Sequence, residues 1–365
     1  MSRTRLTMDW SLLLATLLLL AVGLVMVYSA SAVLALNQHG DSWFFVKRQL
    51  VFAVLGIGVL FAVQKLDYMI LRKWAKPLLW LCFLMLVAVL IPGIGVVRGG
   101  ARSWLGIGSF GIQPSEFMKM GLIVFLAYYL APRTEQLHSF FKGLLPPLAL
   151  IGLAFALIML QPDLGTGAVL LGATLMMLFA AGMNWRHIGA LSIVGIVGLT
   201  ALILAAPYRL QRITAFLDPW QDPLGAGYQA IQSLYAIAPG GLFGLGLGMS
   251  RQKFSYLPEP QTDFIFAIIA EELGFIGASF VIVLFAIIIW RGMRIAICAP
   301  DTFSALLATG IVGMIAVQVI INIGVVIGMM PVTGITLPLI SYGGSSLTLM
   351  LTALGILLNI SRFAR

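Results

Sequence analysis

The sequence predicts an all-α polytopic membrane protein with ten transmembrane helices, and three observations carry that prediction. Hydrophobic residues make up 61% of the 365 and charged residues only 10%. Apolar runs long enough to cross a bilayer recur from one end of the chain to the other. The basic residues are scattered between them. The expected spans are 10–32, 49–64, 76–96, 114–131, 144–160, 166–183, 188–206, 264–290, 303–329 and 336–360.

The first run follows Arg3 and Arg5 and has no clear small-residue cleavage site, so it reads as a retained span rather than a signal peptide. The second is short for a hydrocarbon layer of about 30 Å. Net charge is +9, but the basic residues are scattered between spans, which suits orientation and anionic lipids better than nucleic acid. With the N-terminus inside, thirteen of the twenty-two Lys and Arg residues fall in the cytoplasm, among them Arg3, Arg5, Arg72, Lys76, Arg133, Arg291 and Arg365. Both termini are therefore expected to be cytoplasmic. Cys82 and Cys298 signal neither a disulfide nor a metal site, and His39, His138 and His187 have no ligand-like spacing.

Lys119 falls within span four, and eight cations remain outside: Lys47, Arg48, Arg98, Arg102, Arg209, Arg212, Arg251 and Lys253. Six of them lie in two external segments, 97–113 and 207–262. The second is the large loop between spans seven and eight, long enough for structure of its own, and is expected to form a partly ordered cap. Its stretch Ile237 to Leu247 is apolar enough to lie in the membrane interface.

Span four opens with Gln113-Pro114-Ser115-Glu116, and Glu116 and Lys119 are three residues apart on one helical face. That pair is either a buried ion pair ordering the packing or a participant in chemistry. After span five, Asp163 in Gln161-Pro162-Asp163 stands at a helix start, where capping is the plain reading. Span ten carries Pro338, Ser341, Tyr342, Gly343, Gly344, Ser345 and Ser346, a run that thins a membrane helix and that Asn322 is positioned to hydrogen-bond.

The chain is organised around Ser250 to Gly274, where a polar loop ends and an apolar helix begins. Asp263 is expected in the first helical turn, where the helix dipole favours its charge and partial burial opposes it. Arg251, Lys253 and Glu259 are near it in sequence, and Glu271 and Glu272 follow about two turns deeper. Asp263 is thus either a capping residue or a functional carboxylate.

The expected outer polar set has several cations, few carboxylates and no histidine. Hydrolysis of a sugar calls for two facing carboxylates. Transfer of a sugar from a lipid pyrophosphate needs less: one base for the acceptor hydroxyl and cations for the departing anion. The inventory suits the second case. A lipid flippase would use the same cations, and a non-catalytic scaffold needs none of this chemistry.

The segments QPSEFMK, QPDLGTG, DPLGAGYQAIQS, LPEPQTDFIFAIIAEELG and ITLPLISYGGSSL resemble, in order, the motifs of the SEDS family of bacterial shape, elongation, division and sporulation proteins. The likeness is greatest to its division and sporulation members. It implies a single membrane domain over 1–365 with a GT-C-like fold, in the bacterial cytoplasmic membrane. It further implies a peptidoglycan glycosyltransferase that polymerises lipid II, the undecaprenyl-pyrophosphate-linked disaccharide peptide, beside a class B penicillin-binding protein and other cell-wall synthesis proteins. By the same resemblance Asp263 is the catalytic residue, and Arg102, Glu116 and Lys119 match family positions. The expected substrate-binding set adds Asp163, Arg209, Arg212, Lys253, Ser341 and Ser345. Divalent metal is associated with such polymerases, so Mg²⁺ or Mn²⁺ is an expectation for which the sequence shows no ligand set.

Overall fold

The computed structural model describes residues 8–98, 101–107, 110–204, 207–254 and 256–364. Arg3, Arg5, Arg365 and the side chain of Arg98, all counted above toward orientation, lie outside the described residues, as does Ser255 in the stretch before Asp263.

Each of the ten apolar segments contains a helix: α1 (Trp10–His39), α2 (Phe44–Lys65), α3 (Met69–Leu90), α4 (Pro114–Leu130), α5 (Leu145–Met159), α6 (Leu164–Ala180), α7 (Trp185–Leu204), α10 (Ile265–Ile297), α11 (Thr302–Val326) and α12 (Gly344–Ser361). Among the described residues seven of these are long and apolar enough to cross a membrane, α5 counting together with the helical turn before it; α4, α6 and the described part of α7 are shorter. Two further helices, α8 (Pro207–Leu217) and α9 (Tyr228–Ile237), lie in the 207–262 segment.

Three expectations are corrected. The third helix begins at Met69 and stops at Leu90, some six residues ahead of the predicted span, because Pro92 and Gly93 prevent its continuation. The chain then forms an antiparallel sheet, β1 (Gly95–Arg98), β2 (Ala101–Ile107) and β3 (Phe110–Ile112), in that order, with Gly95 opposite Leu105 and Leu105 opposite Ile112. The molecule is therefore mostly helical rather than all-α. The last helix starts only at Gly344, and residues 331–343 are irregular where the sequence predicted helix from 336. Pro338 and the Gly343-Gly344 pair account for the delay.

The helices α11 and α12 are the most buried of the seven, with α4 packed against both, so these three form the centre of the bundle. Around them α3 lies on α4, α6 on α11, α2 on α12, and α10 on α11 and α1.

One helix is broken in mid-course. At Gly274 the backbone of α10 turns to φ 66°, ψ −166°, which only glycine adopts without strain. A break in a membrane helix strands backbone groups that lipid cannot satisfy. Here the loop after α9 satisfies them. Leu245 N–H donates to Glu271 O (2.9 Å) and Gly246 N–H to Glu272 O (3.0 Å), while Phe275 and Ile276 N–H donate to Gly241 O (2.9 Å) and Leu242 O (3.1 Å). The stretch from Ile237 to Leu247 thus turns its backbone into the break and leaves Leu242, Phe243 and Leu247 exposed.

Candidate functional site

The site is built on the junction between the 207–262 segment and α10. That helix begins at Ile265, and its N-cap is Phe264, with no side-chain capping bond. Asp263 lies in the turn before it, so the capping reading fails: the carboxylate does not hold the helix end.

Three elements hold this turn. Asn322 Nδ2 on α11 donates to Asp263 O (2.9 Å) and to Ile335 O (2.6 Å), tying the turn to the irregular segment 331–343. Ser341 Oγ donates to Thr262 O (2.6 Å) and accepts from Leu337 N–H (2.8 Å), and Tyr342 N–H donates to Gln261 O (2.8 Å). Gln49 of α2 grips the same segment, donating to Ser341 O (3.0 Å) and accepting from Gly343 N–H (3.2 Å). Glu259 (φ 50°) and Leu339 (φ 65°), one on each strand of this junction, sit in left-handed backbone that bulky residues avoid, as is common where surrounding structure over-determines a functional site.

The Asp263 carboxyl faces Gly334, where a β-carbon would stand 3.5 Å from Oδ2. Burial pushes its pKa up to about 6; Glu259 and Asp163 push the same way, and Arg212 and Thr262 oppose them. A carboxyl poised there is ionised at neutral pH yet basic enough to accept a proton.

Arg212, exposed on α8, donates to Val332 O (3.1 Å) and so stands over the same segment. Asp163 caps α6 as the sequence suggests, accepting from Thr166 N–H (2.9 Å), and its other oxygen accepts from Gln113 Nε2 (3.0 Å). Burial is the main cause of its raised pKa, with Glu116 adding and Thr166 and Lys119 opposing. The next residue but one, Gly165, lets 331–343 approach α6, since a β-carbon there would come within 2.6 Å of Ile335 Cγ1 and 3.0 Å of Thr333 O.

Glu116 and Lys119 form a buried ion pair of 2.7 Å on α4. Lys119 Nζ also donates to Gln318 Oε1 (3.0 Å), whose Nε2 donates to Thr336 O (3.0 Å). The pair therefore reaches Asp263 through the 331–343 segment.

Several expected binding residues have other roles. Lys253 is buried, 3.2 Å from Glu272 Oε1, and donates to Gly248 O (2.6 Å). Being a point charge neutralised inside the protein, it is not an external cation for phosphate. Ser341 is occupied by its two backbone bonds. Ser345, in the first turn of α12, lines an apolar groove of ≈ 880 Å³ between α2, α3, α4 and α12. Arg102 stands on β2, which packs against α3 and α4, and Arg209 shares α8 with Arg212.

Sequence analysis gives Gln49 and Gln318 no role, Gln113 only a place at the opening of span four, and Glu259 only one near Asp263. The signal for the three amides was there, since polar side chains in or at the ends of apolar spans are costly unless partnered. Among the described residues no three His, Cys, Asp or Glu side chains come close enough to hold a metal ion. The described residues therefore hold no preassembled cage of such side chains for Mg²⁺ or Mn²⁺.

Comparison with known proteins gives one consistent result. Stage V sporulation protein E of Bacillus subtilis is 57% identical over 357 residues, covering 98% of each chain. A probable peptidoglycan glycosyltransferase FtsW from Trichlorobacter lovleyi is 45% identical over 97% of this chain and 93% of its own. Among solved structures, one of a peptidoglycan synthase complex matches with a TM-score of 0.79 at 34% identity, covering 98% of both chains. The rod shape determining protein RodA of Thermus thermophilus matches at 0.72 and 32%, covering 98% of this chain and 97% of its own. The family model for FtsW, RodA and SpoVE cell cycle proteins matches residues 9–365, and the chain belongs to that family.

Proposed function

We propose that this protein is a peptidoglycan glycosyltransferase that polymerises lipid II in the bacterial cytoplasmic membrane. The observation that carries the reading is Asp263: a carboxyl free of any capping duty, facing Gly334, with its pKa raised to about 6 by burial against the opposing charge of Arg212. In the reaction Asp263 takes the proton from the acceptor sugar's 4-hydroxyl as that oxygen attacks C1 of the donor. The C1–O bond to the pyrophosphate breaks, inverting C1, and undecaprenyl pyrophosphate leaves with the bonding pair. Arg212 and Arg209 on α8 offset the negative charge developing on the leaving group. The ≈ 880 Å³ groove, apolar along most of its lining, suits the prenyl chain of such a substrate.

The finer architecture belongs to the same proposal. All ten apolar helices cross the bilayer, α4, α6 and α7 shielded by neighbours or tilted to fit. Both termini face the cytoplasm and 207–262 faces out, toward a class B penicillin-binding partner. Single cysteines at Gln229 and Thr134 would then label from outside and inside respectively, and the reverse pattern would put Asp263 on the wrong side for this chemistry.

The decisive experiment is purified full-length protein with lipid II and the penicillin-binding partner in detergent. No membrane exists there to be crossed, so glycan chains report polymerisation alone. Absence of chains would leave flipping or scaffolding as the function.

A further inference from the structure

Beside the Asp263 junction, a cleft of ≈ 580 Å³ opens between α8, the turn at 224–226 and α9. Arg212, Val332 and Pro258 line it; Arg212 bonds Val332 O, and Val332 is two residues from Gly334, which faces the Asp263 carboxyl, so the cleft adjoins the proposed site of transfer. Gln211, Tyr228 and Gln229 line its interior along with aliphatic and aromatic carbon. It merges with a second cleft of ≈ 370 Å³, for the two share Gln211, Ala215, Gly225 and Ala226. Thr214, Asp218, Gln221 and Asp222 line that second part. Asp218 and Asp222 also order the backbone there, accepting from Trp220 N–H (3.2 Å) and Ala226 N–H (2.9 Å).

The chemistry of this lining selects its ligand. Among the described residues that line it Arg212 is the one cation, against two carboxylates, so the cleft is a poor place for a pyrophosphate. Amides, a hydroxyl and a phenol interleaved with apolar surface suit a neutral, hydroxyl- and amide-bearing chain. The first cleft is within the roughly 300–1,000 Å³ of small-ligand sites, and its continuation into the second gives an elongated path rather than a single closed pocket.

We infer that the cleft between α8 and α9 holds the growing glycan strand, gripping the amino-sugar residues next to the reacting end while the strand advances past Gln211 and Gln229. This rests on the glycosyltransferase reading and deepens it, because it makes the same site processive. A strand held there stays bound between transfers, and mean chain length is set by the ratio of transfer to release.

The test compares the products of the parent, Gln211→Leu/Gln229→Leu and Leu224→Trp, as full-length proteins in detergent with the penicillin-binding partner, at equal lipid II consumed. Leu224 is 88% exposed at the cleft mouth, so a tryptophan there obstructs the path without touching the core. Both variants are expected to yield chains shorter by roughly five-fold or more, the factor that one or two lost net hydrogen bonds puts on release. Chains of parental length from both folded variants would overturn the inference. So would folded variants that cannot make even the first coupling, since the cleft would then hold donor or acceptor. Failure of the parent to make any polymer would instead strike at the transferase reading itself.

Discussion

Lys253 Nζ lies 3.2 Å from Glu272 Oε1, both side chains buried, and so fixes the 207–262 segment to α10 nine residues beyond Asp263. Glu272 also accepts from Ser29 Oγ of α1 (2.6 and 2.7 Å) and Ser250 N–H (3.2 Å). Its neighbour Glu271 accepts from Ser250 Oγ (2.5 Å) and Arg251 N–H (2.8 Å). Removing the ammonium alone leaves a buried carboxylate without its cation. Lys253→Met is expected to lower stability by about 3–5 kcal/mol, and Lys253→Met/Glu272→Gln to recover much of it. Thermal unfolding in detergent reads both, and equal loss in the single and double variants would count against the pair.

Asp263 makes no cap, so its replacement should spare the fold. Asp263→Asn and Asp263→Ala are both expected to unfold no lower than the parent, while polymerisation falls by roughly 10²-fold or more. The two variants would diverge in stability only if Asp263 were holding the helix end. Unimpaired chain formation by folded Asp263→Asn would remove the base from the mechanism.

The pH profile follows from the sign of the shift. With a pKa raised from 3.8 to about 6, Asp263 loses its proton over the window where a base becomes active, so the polymerisation rate should rise with pH and level off above about 6. Glu259→Gln removes an influence that raises the pKa and should move the limb down. Arg212→Gln removes one that lowers it and should move the limb up. Stability runs the other way: between the two values the folded state binds more protons than the unfolded one, so this group's contribution weakens as pH climbs from about 4 to about 6. A limb that stays put in both variants would mean that another group titrates.

Lys119 acts on the site through Gln318 and Thr336, which separates positioning from phosphate binding. Gln318→Leu leaves the Glu116–Lys119 pair intact but releases Thr336 O. Its kcat is expected to drop by between ten- and a hundred-fold, the range a misplacement of about 1 Å can cost, with KM for lipid II near the parent's. A parental kcat in Gln318→Leu, with loss in Lys119→Met/Glu116→Gln, would return Lys119 to direct contact with substrate.

Much of the framework was legible because a bilayer imposes length and apolarity on each helix, so the ten apolar segments each yield one. The misses have local causes. The three-stranded sheet at 95–112 is short and glycine-rich, with too little alternation to separate it from loop. Thr262 and Asp263 are residues that caps favour, which points to a helical turn at Asp263, yet the first helical residue is Ile265. Lys253 looked like an external cation because a one-dimensional count of charges cannot show that Glu272, nineteen residues on, folds back to meet it. Asn322 does meet the irregular segment, since an amide deep in an apolar run must find a partner, but at Ile335 O, just ahead of the Pro338–Ser346 run that the sequence points to.

The break at Gly274 also bears on how this architecture can be recombined. The nine residues of α10 before it, 265–273, extend only about 14 Å as helix and rely for their open end on the 241–246 backbone. That loop is made first during synthesis and waits for its helix. The interchangeable unit is therefore neither the 207–262 loop nor the helix taken singly. A chimera that swaps the loop alone pairs one protein's loop backbone with another's break, whereas a junction placed beyond Ile276 carries both partners together.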